Sequence, residues 1–377
     1  MRITIDAGAL GYPMRTGIGR YLESVLEPLC EAAGPGVDWI LLSGRPICSR
    51  PASALTASGR MREISANFPS LYAWQQTGMG LAVLRLRPDL HFTPDGLLPL
   101  IFRGRALGVL QDVLWKRLPH TLPAHIKVVF GLRQKASLRR LNAALTGSAF
   151  NRREMLDVFG PVAEKIQVRE LFGIDHALFR PLADEDAPAA AAFREKYGLN
   201  EEFLFCAGNL MPHKNFKAAP QALGVLWRRG MTPPKLLVAG LGDPAAVLAG
   251  LPRGYPTDRV VTPGYLSDEE LRLAYRLALA FVFPSLYEGY GLPVIEAMAS
   301  GAPVVYARAA SLPEAAGDAG LAFDPDAPEA LADALSQLID NPGLRENLRA
   351  RGLQRTAGMT WEKSARVLWE AMNEALA

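Results

Sequence analysis

Residues 287–300 read YEGYGLPVIEAMAS, and their reading decides the fold. Glu288 stands ahead of a glycine-rich turn, and Glu296 lies on an otherwise apolar run. LAFVFPS (279–285), just upstream, is a short apolar run of the buried-strand kind. From Pro293 onward VIEAMA favours a helix, until Gly301 and Pro303 stop it. The expected order is therefore strand, glycine loop, helix, with Glu288 in the loop and Glu296 in the first turns of the helix. A helix opening there points its free N–H groups into the crevice beyond the carboxyl ends of the strands, where phosphorylated ligands commonly sit. A plainer reading, an N-terminal carboxylate beside turn glycines, stands next to it at this point.

The same rhythm runs along the whole chain. ITIDA (3–7), WILLSG (39–44), LHFTPD (90–95), ALGVLQD (106–112) and KIQVREL (165–171) are expected strands of a first half, with helical patterns between them. The acidic, alanine-rich segment 181–200 breaks the rhythm and reads as a linker followed by a short helix. EFLFCAG (202–208), KLLVAG (235–240), RVVTPG (259–264), AFVFPS (280–285) and APVVYA (302–307) resume it. WEKSARVLWEAM (361–372) reads as an amphipathic closing helix. The expectation is an α/β chain with a first domain over 1–178, a second over 179–358 and a terminal helix over 359–377 that packs back toward the first.

At 377 residues the chain exceeds what one core usually supports. A net charge of +3, without lysine runs or paired aromatics, speaks against nucleic acid as a partner. Cys30, Cys48 and Cys206 are widely spaced, the pattern of buried thiols in a reducing compartment rather than of a zinc site. Neither a signal-type apolar segment nor a membrane-spanning run is legible. A cytoplasmic location is the expectation.

In its motifs the chain resembles glycosyltransferase family 4, retaining enzymes with two Rossmann-like domains in the GT-B arrangement. The resemblance rests on FPSLYEGYGLPVIEAMASGAPVV, on ASLPEAAGDAGLAFDP after it, on GNLMPHKN before it and on the N-terminal RTGIGRYLESVL, all in the family's order. It implies a nucleoside diphosphate sugar as donor, a GDP-sugar by preference, and a saccharide or lipid-linked saccharide as acceptor, with no cofactor and no metal. Glu288 matches the family glutamate near the donor sugar, and Glu296 the one that accepts from ribose hydroxyls. Lys214 would neutralise the departing diphosphate, helped by backbone N–H groups around Gly208, Asn209, Tyr290, Gly291 and Leu292. Gly17 and Gly19 would form a loop closing over the phosphate. The implied chemistry is same-face transfer, in which the leaving diphosphate takes the proton of the incoming hydroxyl.

The sequence departs from the family at three points. Asn209 and His213 stand where many relatives carry arginine. Gln111 occupies the place of a histidine that faces the donor sugar, and Asp112 keeps its neighbour. A glutamine positions a hydroxyl but does not titrate. That leaves room for a 6-deoxyhexosyl donor beside the mannosyl donor the resemblance implies, and also for a sugar-nucleotide-binding protein whose transferase site has degenerated; a hydrolase or epimerase is a further alternative. His91, His120, His125 and His176 form no metal-ligand pattern, although His120 and His125 flank a possible acceptor loop. Residues 127–153 hold seven basic and no acidic side chains, so an anionic membrane surface is an expected peripheral contact.

Overall fold

Continuous apolar runs such as FLFCA and AFVF suit strands covered on both faces, and this is how the chain uses them. The computed structural model describes residues 1–12, 16–68 and 70–377. Contact clustering divides these into two units, one of residues 1–173 and 360–377, the other of residues 174–359.

The first unit holds seven parallel strands: β1 (Arg2–Asp6), β2 (Asp38–Ser43), β3 (Arg62–Ser65), β4 (Leu90–Thr93), β5 (Ala106–Val109), β6 (Ala143–Thr146) and β7 (Ile166–Val168). Their order in the sheet is β3-β2-β1-β4-β5-β6-β7, so the direction of growth reverses between β1 and β4. The helix Trp361–Leu376 belongs to this unit and lies along the helix Gly17–Ala33, with Trp361 edge-on to Tyr21 at 6.0 Å. Its buried face, Ala365, Leu368, Ala371 and Met372, is the stripe expected of helical spacing.

The second unit holds six parallel strands: β8 (Phe203–Ala207), β9 (Lys235–Ala239), β10 (Val260–Gly264), β11 (Ala280–Phe283), β12 (Val304–Ala307) and β13 (Gly320–Phe323). The order β10-β9-β8-β11-β12-β13 reverses between β8 and β11. Every residue of β8, β11 and β12 is buried, and each full burial of a Leu, Val or Phe contributes about 1.5–3 kcal/mol.

The sequence reading missed β3, β6 and β13. REIS is a four-residue edge strand with charged residues, AALT lacks large apolar side chains, and GLAF is a short edge strand. The segment read as a linker is a working part of the second unit. Arg180 donates to Asp186 (2.8 Å), and Arg276, on the helix Asp268–Leu277, donates to the same carboxylate (3.1 Å) and to the Arg180 carbonyl (2.9 Å). Of the cysteines, Cys30 and Cys206 are buried as expected, but Cys48 is exposed.

Candidate functional site

In a parallel sheet the loops leaving two strands diverge where the order reverses and open a crevice between them. In the second unit those strands are β8 and β11, and they carry Lys214 and Glu288. After β8 the chain passes Gly208 and Asn209 and closes a 3-10 turn over Pro212–Lys214. Asn215 ends this turn at φ 52°, a left-handed conformation that asparagine tolerates better than most residues. After β11 comes the turn containing Glu288, Tyr290 and Gly291, and then the helix Leu292–Ala299. Gly291 has φ 110°, and a Cβ there would sit 2.9 Å from Leu312 Cδ2, so geometry and space both call for glycine.

Lys214 and Glu288, 74 residues apart in sequence, meet as a 2.6 Å ion pair, both side chains mostly withdrawn from water. The Lys214 ammonium also lies 5.5 Å from the Phe283 ring centre. Beside it, burial and the Lys214 charge push the His213 imidazole down to about 4, only partly offset by Glu288, so it is neutral at pH 7. Asn209 is exposed. Lys214 is therefore the permanent cation of the segment 208–214.

Hydrogen bonds lace the site's loops together. The His213 carbonyl accepts from Leu286 N–H (2.8 Å) and from Ser285 Oγ (3.3 Å). Ser311 Oγ donates to the carbonyls of Glu288 (2.8 Å) and Tyr290 (3.0 Å), clamping the turn that carries the glutamate. Ala310, just before it, has φ 52°, a strained value for alanine at the point that aims Ser311. Glu296 is buried in the helix and accepts from Tyr275 Oη at 3.1 Å. Sequence reading did not find Ser285, Ser311 or Tyr275. Ser311 lies within the quoted ASLPE segment, and that was the available signal.

The other expected site residues lie in the first unit. Gly17 and Gly19 form the first turn of the helix Gly17–Ala33 instead of a loop, because Thr16 caps it: its Oγ1 accepts from Gly19 N at 3.1 Å. Gln111 and Asp112 follow β5. Gln111 Nε2 donates to the Pro94 carbonyl (3.0 Å), and its own carbonyl accepts from Asn151 Nδ2. Asp112 Oδ1 accepts from Leu114 N (2.9 Å), while buried Gln134 bridges the Asp112 carbonyl (3.0 Å) and the Trp115 indole (2.6 Å). His120 is exposed, and the side chain of His125 lies outside the described residues. His91 is fully buried beside Thr4 and neutral, its imidazole pushed down to about 4 by burial.

At the reversal of the first sheet, Asp6 ends β1 and Asp95 follows β4. The Gln75 amide, in the π-helical turn Trp74–Gly78, donates to both carboxylates at 2.9 and 2.8 Å. Burial first, and then the neighbouring Asp95 charge, push Asp6 up to about 7. The folded state thus holds a proton that the unfolded chain releases near pH 4. This stabilising preference is complete below pH 4 and is lost as pH rises toward 7. Relative to wild type, Asp6→Asn is therefore expected to gain about 1–3 kcal/mol between pH 5 and pH 8, measured by urea denaturation at both. A gap between the two proteins that does not change with pH would refute this account of Asp6.

Comparisons with known proteins agree with this architecture. Residues 190–355 match the family model for glycosyl transferases group 1. O-antigen chain mannosyltransferase B of Escherichia coli is 34% identical over 229 residues, covering 60% of this chain and 59% of that protein. D-inositol 3-phosphate glycosyltransferase of Kineococcus radiotolerans is 32% identical over 250 residues, covering 60% of this chain and 55% of its own length. Among solved structures, sucrose-phosphate synthase from Thermosynechococcus elongatus superimposes with a TM-score of 0.75 at 20% identity, over 99% of this chain and 98% of that one. Anabaena HepE, solved with UDP and glucose, gives 0.74 at 16% identity, over 99% of each chain. The fold is GT-B, with two Rossmann-like units.

Proposed function

We propose that this chain, whose residues 190–355 match the group 1 glycosyl transferases, moves a hexosyl group from a nucleoside diphosphate donor to a hydroxyl of a saccharide or lipid-linked saccharide, with retention of configuration. The observation that carries the reading is the Lys214–Glu288 pair on the two strands where the sheet order reverses. Each charge of the pair neutralises the other. An entering diphosphate competes for Lys214, and Glu288 is then released toward the positive charge that develops at the anomeric carbon. The bond from that carbon to the diphosphate breaks as the acceptor oxygen bonds on the same face. The acceptor's proton passes to the departing phosphate oxygen. With His213 neutral, Lys214 and the N–H groups of the turn supply the phosphate electrostatics. Glu296, steadied by Tyr275, accepts from the ribose hydroxyls. The mannosyltransferase among the relatives supports a mannosyl group as the one moved; GDP as its carrier, and a 6-deoxyhexosyl group in its place, are part of the proposal.

A second reading, sugar-nucleotide binding without transfer, draws on one observation: Gln111 turns its amide to the Pro94 carbonyl. The two share the donor site, and the first test addresses that site. Thermal unfolding with GDP-mannose, UDP-glucose and a deoxythymidine diphosphate sugar is expected to show stabilisation by the GDP-sugar, about 2.7 kcal/mol at a hundredfold excess over Kd. Glu296→Ala should reduce that gain. Stabilisation by none of the three would overturn both readings.

A further inference from the structure

Besides Met1 and Val168, the large apolar side chains exposed among the described residues of the first unit are Leu81 on the helix Met79–Leu86, Leu100 and Ile101 on the loop after β4, and Val128 and Leu132 on the helix Ala124–Arg140. Ile101 is 59% and Leu132 71% exposed, where water is a poor neighbour for either. The three segments adjoin because the loop is held by its backbone between the two helices. Arg140 donates to the carbonyls of Pro99 (3.1 Å), Leu100 (3.4 Å) and Phe102 (2.6 Å), and Arg133 donates to that of Leu98 (3.3 Å). Ser137 Oγ accepts from Leu98 N (2.9 Å). On the other side Gly80 comes so close that a Cβ there would lie 2.8 Å from the Ile101 carbonyl oxygen.

This narrows what the basic run 127–153 is for. Arg133 and Arg140 hold the loop, and Arg152 donates to the Ile166 carbonyl (2.8 Å), so these guanidiniums are structural. Arg133, Ser137 and Arg140 share one stripe of the helix at i, i+4 and i+7. The next stripe round, Val128, Leu132, Lys135 and Arg139, begins apolar and ends basic. Arg103 extends the cationic rim past Ile101, and from residue 96 to 153 the sequence carries a single acidic residue, Asp112. An apolar wedge beside cations, with almost no carboxylate in the same stretch, matches the boundary between acyl chains and anionic headgroups.

We propose that this surface docks on an anionic lipid bilayer, with Leu100 and Ile101 entering the acyl boundary and Lys135 and Arg139 meeting headgroup phosphates. No helix of the described residues is long and apolar enough to cross a membrane, so the contact is peripheral. The surface goes beyond the transferase reading and does not depend on which sugar is moved.

The test is co-sedimentation of the full chain with vesicles of phosphatidylglycerol and phosphatidylethanolamine, against vesicles of phosphatidylcholine alone, without donor or acceptor. Wild type is expected to pellet with the anionic vesicles only, and less as salt is raised. Leu100→Asp with Ile101→Asp should weaken binding at least tenfold. Lys135→Glu with Arg139→Glu should weaken it by about fivefold per position, following the usual contribution of a surface cation. Leu100, Ile101 and Arg139 are exposed and Lys135 is half-buried, and unchanged urea denaturation shows the variants folded. Wild type remaining in the supernatant, pelleting equally with neutral vesicles, or being matched by both variants would overturn the proposal. So would a dimer on gel filtration that Leu100→Asp dissolves, which would identify the surface as a contact between copies. Because the probe is lipid alone, failure here leaves the transferase reading standing, and failure of that reading leaves this one.

Discussion

Lys214→Ala is expected to lower kcat for glycosyl transfer by about 10²–10³-fold, the usual loss when one preorganised donor to a developing negative charge is removed. The size follows from the absence of a substitute. His213 is neutral at working pH, and Asn209 is exposed and uncharged, so nothing else in the segment 208–214 carries a permanent positive charge. The variant also leaves Glu288, only 13% exposed at its side chain, without the partner seen at 2.6 Å. Glu288→Gln should therefore be as damaging, and the double variant no worse than the more damaging single one, because the residues act as a unit. Steady-state kinetics on the two single variants and the double decide this, with urea denaturation showing that the second unit still folds. Strictly multiplicative losses would mean that the two residues act independently and that their pairing is incidental.

Gly240→Ala carries the largest expected stability effect, more than about 4 kcal/mol or outright failure of the second unit to fold. Gly240 follows β9 with φ 153°, a region that residues with a Cβ rarely adopt. A Cβ at this position would lie 1.7 Å from the Gly208 carbonyl oxygen. Neither side can retreat, since Gly208 N donates to the Ala239 carbonyl (2.9 Å) and Gly240 N to that of Gly264 (2.8 Å). The clash thus strikes the ends of β8, β9 and β10 together, directly beneath the segment that carries Lys214. Gly230→Ala is the control: its φ is 81°, but a Cβ there meets nothing within 4 Å, and it should cost only about 1 kcal/mol. Unfolding free energies from urea denaturation within about 1 kcal/mol of each other for the two variants would refute the packing account.

These expectations also show which parts of the molecule could be read before folding. FLFCA, AFVF and VVYA were legible as strands because both faces are covered, leaving continuous apolar runs. REIS and AALT were not, since a short strand with charged or small residues lacks that signal. Lys214 and Glu288 could be picked out singly from their motifs. Their contact could not, because it depends on β8 and β11 becoming neighbours across 74 residues of chain. Ser285, Ser311 and Tyr275 act through hydrogen bonds to distant segments, which the sequence around each does not announce. At Gly17 and Gly19 the family resemblance implied a loop, but the Thr16 cap made a helix.

The most direct measurement of the central claim is mass spectrometry of acceptors after incubation with GDP-mannose, using a mixed set of soluble and lipid-linked saccharides. Transfer predicts an acceptor heavier by one hexosyl group, formed by wild type and lost in Glu288→Gln. GDP-mannose bound by the protein with every acceptor unchanged in mass, or equal product from both proteins, would contradict the claim that this ion pair serves glycosyl transfer.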